Sequence, residues 1–186
     1  PMTAPNVGNP THPAVTNQLR LPRAAALGPG RGGQQRLLID APAGAAEIYL
    51  HGATVTSWVP RGGSEVIFTS RQAVFDGATA IRGGIPLCLP EFGVGINGDA
   101  VPKHGWARIA PWRLRTVTTT DGGGVRALLS VSRDRLTALY EVEVGEMLRL
   151  GLSLRNEGTE PRTVEAAAHT YLSVHDVTAS RISGLA

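Results

Sequence analysis

Few side chains in this sequence could move a proton or hold a ligand. The histidines are His12, His51, His104, His169 and His175, and Cys88 is the only thiol. No two histidines stand at i, i+2 or i, i+4, the spacings that bring two imidazoles to one metal on a strand or a helix, so no metal site is expected. Cys88 sits among Leu87, Leu89, Pro86 and Pro90. A lone cysteine in apolar company reads as a small core residue, and no cation adjoins it in sequence to favour a thiolate. Gly83 and Gly84 belong neither to GxGxxG nor to a Walker loop, and nothing helical follows them, so nucleotide binding by that route has no support.

Three residues remain. Arg82 opens "RGGIPLCLPEFG", Arg82 to Gly93, a rigid apolar run punctuated by glycine and proline. His104 lies in the turn-like "PKHGWAR", and His169 in "AAAHTYLSVHD". A period of two puts Thr163, Glu165, Ala167, His169 and Tyr171 on one strand face and Val164, Ala166, Ala168, Thr170 and Leu172 on the other. The small alanines leave space beside the imidazole for a ligand. A histidine can deliver and take back a proton near neutral pH. An arginine is always charged, and its planar fork suits a phosphate or sugar hydroxyls. The glycines beside it would let a ligand approach closely. Singly, each has a plainer role: a hydrogen-bonded core histidine, a loop histidine, and a surface arginine whose ion pair is worth little.

The elements that must hold these residues read as strands. "QRLLID", "AEIYL", "ATVTSWV" and "EVIFTS" are short, apolar or β-branched, and bounded by Gly and Pro. "WRLRTVTTT" and "VRALLSVS" flank "DGGG" as a hairpin, and "ALYEVEVG" with "EMLRLGLSLRN" makes a second. Leu148, Leu150, Leu152 and Leu154 alternate with Arg149, Gly151, Ser153 and Arg155, so one face should be buried and the other wet. "TVEAAAHTYLSV" starts a further strand, and "LGPGRGGQQ", Leu27 to Gln35, reads as a turn or loop. No amphipathic helix is evident. An all-β, antiparallel sandwich follows. Residues 1–17, rich in Pro, Asn, Thr and Gly, read as a disordered lead-in to a single domain over 18–186.

Composition narrows the classes. With 42% apolar and 18% charged residues the 186-residue chain is globular. No apolar run reaches 18 residues, which argues against a membrane span, and no basic start leads into an apolar stretch. One cysteine suits a cytoplasmic protein without disulfides. The net charge is +3, and Lys103 is the only lysine among 18 cations. The arginines are scattered, so a nucleic-acid surface is not expected.

"AIRGGIPLCLPEFG", "KHGWARIAPW" and "AAHTYLSVHDV", in that order, resemble the aldose 1-epimerase superfamily, and within it the glucose-6-phosphate 1-epimerases, or hexose-6-phosphate mutarotases. "HGATVTSWVP" and the closing "ISGLA" extend the resemblance from about Leu37 to Ala186. The resemblance implies a β-sandwich of the galactose-mutarotase type that interconverts the α and β anomers of a hexose 6-phosphate without cofactor or metal. It implies His169 as general acid, His104 as an assistant near the ring oxygen, and Arg82 as a substrate-binding residue. Arg61 and Arg71 are weaker phosphate candidates with no aligned family position. The family's general-base glutamate and a sugar-holding aspartate lie well beyond the HTY strand. Neither Glu91 nor Asp176 replaces them by position. The expectation is therefore a fragment truncated at the C-terminus, inactive alone, and self-associating through exposed sheet edges. A non-catalytic carbohydrate-binding sandwich is the alternative.

Overall fold

The computed structural model describes residues 19–184. Two four-stranded antiparallel sheets carry the fold. The first has the order β1 (Ala25–Pro29), β2 (Gln35–Ala41), β3 (Gly44–Tyr49) and β4 (Thr54–Pro60). The second is a meander of β6 (Arg113–Thr119), β7 (Val125–Arg133), β8 (Leu136–Val144) and β9 (Leu148–Asn156). A two-stranded ladder between them joins β5 (Leu87–Cys88) to β10 (Ala167–Ala168).

The inward residues follow the period of two. Val125, Ala127 and Leu129 of β7 and Ala138, Tyr140 and Val142 of β8 are buried together with Leu37, Ile39, Ile48 and Val55 of the first sheet. Burial of such side chains contributes about 1.5–3 kcal/mol each. The β7–β8 hairpin closes on Asp134 and Arg135, both left-handed with φ of 51° and 58°. That two-residue turn has the twist that matches its flanking strands. It links the two hairpins expected from sequence into one sheet.

Four local readings change. Residues 27–29, read as the start of a loop, belong to a strand that pairs with β2, and only Arg31–Gly33 turns, as a 3-10 segment. "EVIFTS" forms two isolated bridges, Ile67 to Leu172 and Thr69 to Gly83, and no strand. The Glu65 carboxylate takes the place of a ladder partner, accepting the N–H groups of Trp58 and Ile67 at 2.9 Å each. The strand around His169 shrinks to two residues because its neighbours Pro86 and Pro90 have no N–H to donate. The leucines of β9 do share one face, but each is only half-buried. β9 is the outermost strand of its sheet, and the described residues cover that face incompletely.

The segment 1–17 expected to be disordered lies outside the described residues. Among those described, no helix is long and apolar enough to cross a membrane.

Candidate active site

The stretch from Arg82 to Pro90 positions the whole site. Its opening glycines are forced by packing. Gly84 sits at φ 72°, and a Cβ there would press on the Val55 carbonyl of β4 and the Thr54 methyl. A Cβ on Gly83 would stand 2.6 Å from the Phe68 carbonyl oxygen and the Thr69 Cα. The sequence reading had these glycines let a ligand approach closely; the structure shows that they also let the chain approach its own neighbours. Backbone bonds then fix the segment: Gly84 N–H to Phe68 O at 2.8 Å, Ile85 N–H to Val55 O at 2.9 Å, and Ser70 N–H to Arg82 O at 3.0 Å.

Both histidines bond to this segment through their backbones. His169 N–H donates to Pro86 O at 3.0 Å. Leu89 N–H donates to His104 O at 3.2 Å, and Leu89 O accepts from Ala107 at 3.0 Å. His104 itself is left-handed, φ 65°, which is strained for a residue with a Cβ. The next residue, Gly105, is also left-handed, and a side chain there would overlap the Leu89 carbonyl.

The result is one cleft of about 360 Å³ whose lining includes Arg82, His104 and His169. The three residues singled out from sequence, 22 and 65 positions apart along the chain, thus share one wall. The two imidazoles meet edge to face, with centroids 6.0 Å apart. His169 also stacks on Tyr171 at 5.0 Å, so those two side chains share a face, as the strand period predicts. Among the described residues neither ring nitrogen of His169 has a hydrogen-bond partner, which leaves both open to a ligand. The His104 ring is held more tightly. Its Nδ1 receives the Gly93 N–H at 3.2 Å and lies 3.5 Å from Cys88 Sγ. Burial, then Arg108, His169 and Lys103, hold the His104 pKa below the ordinary histidine value. Cys88 is buried as expected of a core residue, and burial raises its thiol pKa.

Sequence reading missed Arg108, Tyr171 and Gln72, which also line the cleft. Arg108 was in plain sight as the arginine of "HGWAR". One of its guanidinium nitrogens donates to Lys103 O at 2.8 Å, while Nε is buried and has no hydrogen-bond partner among the described residues. Neither Arg82 nor Arg108 forms an ion pair among the described residues. No Asp or Glu lines the cleft. Arg61 and Arg71 do not line it either. Glu91 borders a separate hollow with Asp99 and Glu165, and Asp176 caps its own turn by accepting the Thr178 N–H at 2.8 Å. Among the described residues no group of three or more His, Cys, Asp or Glu side chains could hold a metal ion.

Known proteins share this arrangement of strands. The family model described as aldose 1-epimerase matches residues 35–186. A protein of Escherichia coli K12 is 32% identical over 158 residues, covering 80% of this chain and 52% of its own length. One of Cenchrus ciliaris is 35% identical over 157 residues, covering 75% of this chain and 47% of its own. Both are named as candidate glucose-6-phosphate 1-epimerases. The crystal structure of YeaD from Salmonella typhimurium, named a candidate mutarotase, superposes with a TM-score of 0.75 at 28% identity, over 85% of this chain and 54% of that one. The structure of HI1317 does so with 0.69 at 28% identity, over 84% and 56%. The chain spans about half the length of the curated relatives it matches.

Proposed function

Because the chain belongs to the aldose 1-epimerase family, we propose that its cleft supplies the acid and the anion-binding groups of a site that interconverts the anomers of a hexose 6-phosphate. One observation carries this reading: two histidines and two arginines without ion pairs line the same cleft, and no carboxylate does. A sugar phosphate brings about −1.5 to −2 charges at neutral pH, the kind of ligand two unpaired guanidinium groups hold best.

The chemistry assigns the parts. The C1 hydroxyl loses its proton, the C1=O bond forms, and the C1–O5 bond breaks. The electron pair goes to the ring oxygen, which takes a proton from His169. Rotation of the aldehyde and the reverse steps close the ring as the other anomer. His104 hydrogen-bonds near the ring oxygen, and Arg82 with Arg108 holds the phosphate. The base that takes the C1 proton is a carboxylate from outside the described cleft, where the resemblance puts a glutamate beyond Ala186. The 186-residue chain accordingly binds the sugar phosphate and turns it over slowly or not at all. The missing carboxylate equally fits a purely binding sandwich.

Exchange NMR on the α and β anomers of glucose 6-phosphate tests this, using the chain and a form extended to the length of its relatives. The extended form should accelerate exchange over buffer, and the short chain should not. In the extended form His169→Ala should cut exchange by about 10²–10⁴-fold with binding kept. Equal acceleration of unphosphorylated glucose would sink the substrate class. A His169→Ala variant that loses affinity alone would point to the binding module.

A further inference from the structure

We propose that Cys88 is a positioning residue: its thiol and the Gly93 N–H together lock His104 as the neutral ring that carries its proton on Nε2. The Gly93 N–H meets Nδ1 at 3.2 Å, and a backbone amide can only donate, so this bond favours a lone pair on Nδ1 without fixing it alone. Cys88 Sγ lies 3.5 Å from the same nitrogen. With Nδ1 an acceptor, the thiol hydrogen is the group that can bond there. The thiol stays protonated because it is buried, 1% exposed. Protonating the ring would set an N–H against the Gly93 donor and would turn the thiol from donor into weak acceptor.

The surroundings act in the same direction. Cys88 aside, the groups whose charge lowers the His104 pKa are Arg108, His169 and Lys103, all bases. The left-handed backbone of His104 and the bond from its N–H to Gly93 O at 2.7 Å fix where the ring starts. The two imidazoles therefore differ in kind. His104 is a fixed donor, and His169, without ring hydrogen bonds among the described residues, is the one that exchanges protons. This division of labour rests on the proposed function, but the tautomer does not and is measurable without substrate.

Long-range 1H–15N correlation spectra of the uniformly labelled chain read the tautomer directly. Wild type should give the pattern of a single Nε2–H ring at neutral pH. Cys88→Ser, which keeps a donor, should preserve it. Cys88→Val, which fills similar space without a donor, should mix in the Nδ1–H form and raise the titration midpoint of His104. Cys88→Ala serves if the valine disturbs folding, judged from the dispersion of the same spectra. A folded Cys88→Val or Cys88→Ala chain with an unchanged tautomer and midpoint would reduce Cys88 to packing. A wild-type ring protonated on Nδ1 would overturn the proposal at its base.

Discussion

At the scale of single residues, charge explains more than position. Arg82 and Arg108 face the same cleft without an acid to neutralise them. Replacing either by alanine should weaken glucose 6-phosphate binding by roughly 10- to 150-fold, the worth of one hydrogen bond to a charged group, and leave glucose binding and the melting temperature nearly unchanged. Calorimetry with the two sugars checks both. Acid should loosen the same wall. The Asp76 carboxylate accepts the N–H groups of Ala78 at 2.8 Å and Thr79 at 2.6 Å, which holds its pKa down to about 2. The His104 pKa is lowered too. A depressed folded-state pKa stabilises the fold above the unfolded value and ceases to do so as pH falls through the folded one. Urea midpoints should therefore decline in two stages, first below about 6.5 from His104 and again below 4.5, where Glu143, Asp76 and Asp176 all have lowered pKa values. His104→Asn, which tolerates the left-handed backbone, should remove the first stage alone. His104 and His169 were legible as candidates because the motifs "KHGWAR" and "AAHTY" around them resemble a known family when read together. The Gly93 amide behind His104 was not, because a backbone donor leaves no mark in the residue alphabet.

At the scale of elements, sequence reading succeeded where one period governed a whole strand. It placed both hairpins of the second sheet and named the leucine face of β9, which the structure leaves only half-buried. It failed where a side chain or a missing N–H replaced the ladder, as with Glu65 and with Pro86 and Pro90. The glycines that open the central segment were legible as special, but the neighbours they pack against, Val55 and Phe68, were not. Gly84→Val therefore tests packing more than binding. It should cost more than about 1 kcal/mol, since both the left-handed φ and the Val55 contact oppose a side chain, and a lowered urea midpoint would show it. A stable Gly84→Val protein with poor sugar binding would instead support the ligand role.

At the scale of the molecule, apolar side chains remain exposed or half-exposed. The β9 leucines are half-buried, and Leu172 at 60% and Val177 at 76% exposure lie further along the same chain. Such surface favours association. Sedimentation velocity of the 186-residue chain should show mass rising with concentration. Leu150→Lys with Leu152→Lys should shift it toward monomer without unfolding the chain. A concentration-independent monomer would remove the idea. The cleft differs from this apolar surface in how it is encoded. His169 and His104 are tied to Pro86 and Leu89 by main-chain bonds, so their separation is counted in peptide units and not in side-chain bulk. Substitutions at Ile85, Leu87 or Leu89 can drift with the core while the spacing of the imidazoles stays put. A single inserted or deleted residue between Pro86 and Leu89 would move one histidine past the other by a full step, whatever the residue was.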